Sequence, residues 1–479
     1  MPNEITSLQY KTTKQTIRNK YIKINLLNFN YLIMDSLEGN VIDGEIDINA
    51  NSDIRRTCNV SFILTDSSFN VQAGGKVWLD KLFQIYIGIE DINSNEIIWN
   101  NMGIFLINKP SYKYDAQTKT MSFEGLDLMA KMTGIRNGYI MGISAEGYTL
   151  IPEGSNIRNA IISVLTECGF NNYYVSECIN EDGSIQNVPY EMKFQQGTTW
   201  YNILDELRNI IPNYQIYFDV NGVFRYEKIP YTLDDPIRIN DDIWKENVIS
   251  ENVDIDFESV KNVVEIYGRV HDVESFSDST VTTISSNTIT PTWSGILRLN
   301  EFDMFGFEIN SDLDTQNGII ISFLGNHNLV DSNGEAIKSL DKNKYYVISY
   351  QSDGTFLFLG GNQSYGIWED NNPESPFYVE SEIGRINISL YGNEYNNIIS
   401  DELALQRAKY EIYKRCRLND SLTLNTVPIY WADVNWKVSY TTFNNVTSEY
   451  MIQSMSIPLS VSGTQTIKLI KFYPLYPII

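Results

Sequence analysis

The stretch Leu82-Phe83-Gln84-Ile85-Tyr86-Ile87-Gly88-Ile89-Glu90 decides the fold class, because Phe83, Ile85, Ile87 and Ile89 occupy every second position. Successive side chains of a strand point to opposite faces, so these four side chains are predicted to share one buried face. The same alternation recurs at 21–26, 58–64, 103–107 and 120–124. Many short strands separated by polar turns, including one predicted at Pro110–Asp115, indicate a β-sandwich or barrel over residues 1–130.

Residues 131–247 have a mixed pattern that predicts a small α+β domain. Apolar residues recur at helical spacing from Ile157 to Leu165, and Ser155 is the predicted N-cap of this helix. A second helix is predicted over 199–210 and ends before Pro212. Two alternating runs around Asn221-Gly222 then predict a β-hairpin, because this dipeptide suits a tight hairpin turn.

The remaining chain is predicted to form a second β domain that carries an insertion. Strands at 248–270 and 375–479 make up the second domain, with a helix over 401–416 whose N-cap is Ser400. Frequent Gly, Asn and Ser turn signals between short strands mark residues 271–374 as an inserted β module. The predicted fold class is therefore mainly β with a smaller α+β part. It comprises two β-barrel domains, an α+β middle domain and the module.

The charge balance bears on the partners of the protein. The 479 residues contain 60 acidic and 36 basic side chains, which gives a net charge of −24. Tight nucleic-acid binding needs clustered Lys and Arg, so we expect none, although DNA could pass such a surface without being held. The opening residues lack the pattern of a signal peptide, and the longest apolar runs are too short to span a bilayer. We therefore expect no membrane anchor.

Residue types that usually carry chemistry are sparse. The chain has two histidines, His271 and His327, and neither lies near a nucleophile motif such as G-x-S-x-G. A phosphate loop and a dinucleotide fingerprint are both missing from the sequence. The four cysteines fit no zinc spacing, and although Cys168 and Cys178 are close enough to pair, buried thiols are the favoured interpretation. We expect no catalytic residue, no cofactor and no metal.

Aromatic residues of the inserted module provide one candidate ligand site. Trp293, Phe302, Phe305 and Trp368 could stack against a sugar ring and so form a glycan contact. The alternative, which we favour, is that these side chains belong to the core of a small β domain.

Several segments resemble the baseplate hub family of long-tailed phages and phage-tail-like bacteriocins. The resemblance rests on the runs Ser52–Val60, Met102–Pro110, Tyr114–Asp127, Gly197–Leu207 with the Asn221-Gly222 hairpin, Ser375–Phe377, Ile383-Gly384 and Ile398–Glu402, followed by Ala404, Ala408 and the terminal strands. It covers about residues 1–270 and 375–479. Within the insertion, 337–350 and 355–360 are similar to small β modules of phage tail fibres.

The hub resemblance implies a homotrimer at the virion tail tip, assembled in the cytoplasm of the bacterial host. Each protomer would supply two related β-barrel domains, so that three chains match the six-fold tail tube to the three-fold central spike and line the axial channel. The implied partners are the tail tube or distal tail protein, the spike, the tape-measure protein and the baseplate wedge proteins.

Two other functions stay open. A receptor- or carbohydrate-binding tail protein would act through the inserted module, and glycan-array binding by that module would distinguish it. A tail-associated lysin would clear purified peptidoglycan, but no segment after Ser375 resembles a hydrolase domain.

Overall fold

The computed structural model of the protein describes residues 5–38, 41–64, 71–114, 119–140, 148–180, 183–189, 192–211, 213–230, 235–271, 279–281, 288–289, 299–309, 311–321, 325–331, 334–392, 395–396, 398–460 and 462–472. In this part of the chain, no helix is long and apolar enough to cross a membrane.

The helices are short and begin at polar caps. They are α1 Ser7–Thr13, α2 Ile157–Glu167, α3 Trp200–Arg208, α4 Asp241–Asn247 and α5 Asp401–Arg415, with a 3-10 helix at Leu128–Lys131. Ser400 caps α5, as predicted, and Thr199, predicted as the first residue of its helix, is the N-cap of α3. For α2 the N-cap is Asn156 rather than the predicted Ser155, because the Asn156 side chain accepts a hydrogen bond from the Asn159 N–H.

The strands follow one another along the whole described chain. They are β1 Lys20–Leu27, β2 Ile33–Glu38, β3 Val41–Asn49, β4 Arg56–Ile63, β5 Leu82–Asp91, β6 Glu96–Tyr114, β7 Lys119–Leu126, β8 Tyr148–Ile151, β9 Tyr173–Val175, β10 Met192–Gln195, β11 Tyr214–Phe218, β12 Phe224–Lys228, β13 Val248–Asp256, β14 Val263–Val270, β15 Ser279–Val281, β16 Thr288–Ile289, β17 Met304–Ile309, β18 Leu313–Asp314, β19 Ile319–Ile321, β20 Gly325–His327, β21 Leu329–Val330, β22 Ser339–Leu340, β23 Lys344–Tyr350, β24 Phe356–Gly360, β25 Gln363–Glu369, β26 Asn387–Leu390, β27 Asn419–Thr426, β28 Lys437–Thr441, β29 Thr447–Pro458 and β30 Gln465–Lys471. The predicted mainly β fold is confirmed.

One large sheet joins the two ends of the chain. Twelve of the described strands belong to it, in the order β13-β27-β30-β29-β3-β4-β7-β6-β5-β1-β2, with β28 paired to β29. Strands from both ends also share one hydrophobic core, which contains Phe83 of β5, Val60 of β4 and Leu424 of β27. The two predicted β-barrel regions are thus continuous through a sheet and a core.

Side chains of β6 alternate between two hydrophobic cores, one on each face of the large sheet. Phe105 and Ile107 point into the shared core, whereas Ile104 and Leu106 point into a second core formed with the middle domain. The strand also runs through Pro110, where a turn is predicted from the sequence. The register shifts between Asn108 and Ser111, so the proline lies at a β-bulge, where its missing N–H breaks no regular ladder bond.

The range predicted as the middle domain contains both helices and strands. Helices α2 and α3 pack against the hairpin of β11 and β12, which pair antiparallel around Asn221-Gly222 as predicted. Gly222 has a φ of 73°, a conformation that costs glycine little. Helix α4, in the range assigned to this domain, instead buries Ile243 and Trp244 in the core of the large sheet.

A third unit consists of α5 on a small sheet of β25, β14 and β26. Residues 363–369 fall within the range predicted for the inserted module, yet they form β25, which pairs with β14 outside that range. The large sheet likewise takes β13 and β27–β30 from the predicted second domain and leaves β14, β26 and α5 to this smaller unit. The pairing arises because α5 covers β14 and β25 together.

The inserted module has a core of its own. Its five-stranded sheet has the order β15-β17-β23-β24-β21, and Phe305, Phe307 and Phe356 fill the space beneath it. A module with a separate core is compatible with insertion at a surface loop.

Candidate assembly site

The seam, which we define as the pairing of β29 with β3, connects segments about 400 residues apart in sequence. Ser454 through Pro458 pair antiparallel with Glu45 through Asn49. Lys20 reinforces the seam, because its Nζ donates to the carbonyl oxygens of Pro458, at 2.7 Å, and Ser460, at 2.9 Å. Burial lowers the pKa of Lys20 to about 8. The seam makes the N-terminal and C-terminal β regions one mechanical unit.

Beside the seam lies a buried polar cluster, the arginine junction, formed by Arg55, Arg56, Asp127, Gln215 and Asp433. Arg56 is 1% exposed and contacts three parts of the chain. Its Nη1 donates to the Phe218 carbonyl oxygen at 2.8 Å, its Nη2 pairs with the Asp433 carboxylate, and its backbone N–H donates to Asp127 Oδ2 at 2.9 Å. One side chain therefore links the large sheet to the middle domain and to the segment before β28.

Arg55 makes the neighbouring link of the arginine junction. Its Nη2 donates to Gln215 Oε1 at 2.8 Å, and Asn435 Nδ2 donates to the same oxygen at 2.7 Å. The guanidinium lies 3.9 Å from the ring centroid of Tyr217, a cation–π contact. These contacts fix the hairpin of β11 and β12 against the large sheet. The Arg55-Arg56 pair occurs in one of the runs that resemble the hub family, but the sequence did not single it out as functional.

Asp127 accepts backbone hydrogen bonds on both of its carboxylate oxygens. Its Oδ1 accepts a hydrogen bond from Met129 N–H at 2.9 Å and so caps the 3-10 helix. Burial raises the pKa of this carboxyl to about 6, and the bonds from Arg56 and Met129 and the two guanidinium charges only partly oppose that rise. In the native fold the carboxyl therefore binds its proton more tightly than the ordinary pKa of 3.8 would allow.

This pKa predicts a pH-dependent contribution to stability. A carboxyl whose pKa is raised by folding stabilises the native state below its unfolded pKa, and this stabilisation is lost as the pH rises through its folded pKa. Between pH 4 and pH 7 we expect the wild type to lose about 2 kcal/mol of unfolding free energy relative to Asp127→Asn. Urea denaturation of both proteins across this range measures the difference, and a constant difference would contradict the assignment.

Among the described strands, the order of the large sheet ends at β13 and β2, each paired on one side, and β28 pairs only with β29. Val253 of β13 is 51% exposed although it lies opposite Leu422, which is buried in the shared core. Ile255, on the same face, is 54% exposed, and Phe257 just beyond the strand is 72% exposed. The apolar face of the sheet therefore continues on β13 beyond the residues that the core covers. We call Ile249, Val253, Ile255 and Phe257 the β13 edge.

The opposite end of the sheet also carries exposed apolar residues. Leu32, Ile33 and Met34 are each more than 60% exposed at the start of β2, and we call them the β2 edge. Edge strands present unpaired N–H and C=O groups, and native proteins usually shield them. Two apolar open edges on one sheet therefore indicate contact surfaces.

The four aromatic residues predicted as a glycan contact lie in different environments. Trp293 lies outside the described residues. Phe302 is 56% exposed, Phe305 is buried in the core of the module, and Trp368 lies on β25 beside the core of α5. The structure does not bring the three described residues onto one exposed platform.

The cysteines lie apart from one another as free thiols. All four cysteines are free, and burial raises the pKa of the Cys178 thiol to about 11. Within the described ranges, no group of three or more His, Cys, Asp or Glu side chains is placed to hold a metal ion.

Comparison with known proteins gives the fold a class. Residues 374–476 match the family model of a domain of unknown function, DUF5048. No curated protein has a significantly similar sequence. A solved tail protein from Neisseria meningitidis MC58 is 8% identical and aligns over 95% of this chain and 98% of its own, with a TM-score of 0.52. The 43 kDa tail protein of prophage MuSo2 from Shewanella oneidensis is 11% identical over 94% of this chain and 98% of its own, with a TM-score of 0.51.

The alignments extend over nearly the full length of both solved proteins. The chain therefore has the fold of phage-type tail proteins, which confirms at the level of fold the resemblance found in the sequence.

Proposed function

We propose that the protein is the structural hub of a phage or phage-like tail tip, where a homotrimer joins the six-fold tail tube to the three-fold central spike. The observation that carries the proposal is the single sheet that crosses the seam. Through it, two β-rich regions of one chain act as one rigid segment, and three such segments would present six β-rich regions around an axis. A non-enzymatic, structural role in a tail agrees with the tail-protein fold.

The two open edges supply a physical route to a closed ring. A head-to-tail contact uses two different surfaces of each copy, and it forms a ring when the rotation between copies closes. The β13 edge and the β2 edge lie at opposite ends of the strand order, as such a contact requires. Burying Val253 and Ile255 against a neighbouring copy would contribute about 1.5 to 3 kcal/mol per fully buried side chain.

The acidity of the chain suits a protein that surrounds an axial channel. With a net charge of −24 per copy, the surface repels DNA phosphates rather than binding them. The partners we propose are the tail tube or distal tail protein, the spike, the tape-measure protein and the wedge proteins of the baseplate.

Replacing Val253 and Ile255 together by lysine tests the assembly surface. We expect the dissociation constant of the trimer to rise at least about 100-fold, since two buried apolar contacts become unpaired charges at an interface. Native mass spectrometry across a concentration series measures this change. Ile135→Lys with Ile185→Lys is the matched control, because both residues are exposed apolar side chains outside the strands of the large sheet.

The outcomes separate the hub proposal from its proposed contact surface. A wild-type chain that is monomeric inside an intact tail tip would overturn the hub proposal. A trimer that tolerates the double lysine variant would overturn only the role of the β13 edge.

Glycan binding by the inserted module remains the alternative function. Of the four aromatic residues predicted as its contact, Phe302 is exposed, and a glycan array with the full-length protein tests the alternative.

A further inference from the structure

A cavity of about 470 Å³ between α3, the C-terminal end of α5 and the large sheet is basic, although the chain as a whole is strongly acidic. The cationic side chains that line it are Arg55, Arg208, Lys414, Arg417 and Lys471. The acidic side chains that line it are Asp53 and Asp205. Its volume falls in the usual range for ligand pockets, about 300 to 1,000 Å³.

Two of the arginines form no ion pair of their own. Among the described residues, neither Arg55 nor Arg417 is paired directly with a carboxylate, whereas Asp205 is occupied by Arg208. Asp127 and Asp433 act on the Arg55 charge, but both are bonded to Arg56. Arg55 is 4% exposed, and its buried Nε has no hydrogen-bond acceptor. A buried cation without a direct ion pair is costly, so these groups favour a further anion.

Comparison along α5 shows that Arg417 differs from its neighbours. Arg407 and Arg415 both pair with the buried carboxylate of Glu411, with a distance of 2.9 Å from Arg407 Nη2 to Glu411 Oε1. Arg417 follows the helix, lines the cavity and forms no ion pair with any of the described residues. Burial lowers the pKa of the Arg417 guanidinium, as expected for a cation that is removed from water with no partner.

We propose that this cavity is an oxyanion-binding site, in which Arg55, Arg417 and Lys414 hold a phosphate or carboxylate group. Guanidinium groups match such oxyanions with paired N–H donors, and the exposed Lys414 at the rim adds a mobile charge. Tyr201, Tyr410 and Tyr413 also line the cavity. The oxyanion is either a free small ion or the acidic side chains of a neighbouring tail protein. The site does not depend on the trimer, because all its residues come from one chain.

Isothermal titration calorimetry with the full-length protein tests the site, using inorganic phosphate and a hexaglutamate peptide as separate probes at constant ionic strength. We expect at least one probe to bind, and to bind at least about tenfold more weakly to Lys414→Gln and to Arg417→Gln. Arg417→Lys should recover part of the affinity, because it restores the charge without the paired donors. Binding of phosphate identifies a free ion, and binding of the peptide alone identifies a protein partner.

The control is Arg385→Gln, which removes an exposed arginine that is already paired with Glu369. Circular dichroism establishes that each variant is folded, and Lys414→Gln changes an exposed side chain, so it tests the site even if Arg417→Gln fails to fold. Failure of both probes to bind the wild type, or an equal loss of affinity in Arg385→Gln, would overturn the proposal.

Discussion

Replacement of Arg56 by methionine is expected to lower the free energy of unfolding by about 3 to 5 kcal/mol. Methionine fills a similar volume, but it leaves the Phe218 carbonyl oxygen and Oδ2 of Asp433 without their donor, while Oδ1 of Asp433 keeps the Val434 N–H. Asp127 would also lose one of the two guanidinium charges that oppose the rise in its pKa. Removal of one partner from a buried charged network is much more costly than loss of an exposed pair, because the remaining charge stays away from water.

Urea denaturation followed by circular dichroism measures the effect of Arg56→Met. Arg385→Met is the matched control, since it breaks an arginine–carboxylate pair whose arginine side chain is 56% exposed, and we expect it to cost less than about 1 kcal/mol. If both variants lose the same small amount, the arginine junction does not hold the large sheet and the middle domain together. Limited proteolysis of Arg56→Met should then also show no earlier cleavage in residues 213–230.

The alternation of apolar residues predicted the individual strands β1, β4, β5, β6 and β7, because the signal is local to each strand. The face of β5 that carries Phe83, Ile85, Ile87 and Ile89 is buried in the shared core as expected. The turn predicted at Pro110–Asp115 was wrong because of a local feature of β6. Pro110 and the residues after it resemble a turn, but a bulge between Asn108 and Ser111 lets β6 continue to Tyr114.

Helices were predictable where an apolar stripe accompanied a cap, as in α3 and α5. Helices α1 and α4 were missed because each has only seven residues and depends on tertiary contacts. Helix α1 is held by the ion pair of Lys11 with Asp91, and α4 by burial of Trp244. Neither contact leaves a periodic pattern in the sequence.

Pairings between distant segments could not be read from the sequence. The seam joins β3 to β29, and its register depends on the three-dimensional placement of both strands. The role of Arg55 and Arg56 is equally non-local, because their partners Gln215 and Asp433 become neighbours only after folding. The basic cavity escaped notice for the same reason, since its cations are scattered among far more numerous acidic residues.

The unit formed by α5 and the small sheet provides the second large effect, at Gly366. This glycine lies on β25 opposite Ile266, directly beneath α5. A Cβ atom at this position would lie 2.3 Å from the Ala404 carbonyl carbon and 2.3 Å from the Leu405 nitrogen. Both are backbone atoms of a helix, so they cannot move away as the end of a flexible side chain could. The fully buried Ala404 and Ala408 complete this close helix–sheet contact.

Gly366→Ala is therefore expected to lower the free energy of unfolding by about 3 kcal/mol or more, the upper range for overpacking, because α5 must shift away from β14 and β25. The matched control is Gly361→Ala, where the nearest atom to an added Cβ is 3.7 Å away. We expect that substitution to change stability by less than about 1 kcal/mol. Denaturant titration of both variants gives the free energies, and hydrogen exchange of α5 locates the effect. In Gly366→Ala the amides of α5 should exchange faster than in the wild type. The exchange rates of the β5 and β6 amides should not change, because the large sheet has a separate core. Equal stability of the two variants would mean that β25 and α5 do not approach each other this closely, and the pairing that assigns β25 to the hub-like part of the chain would be wrong.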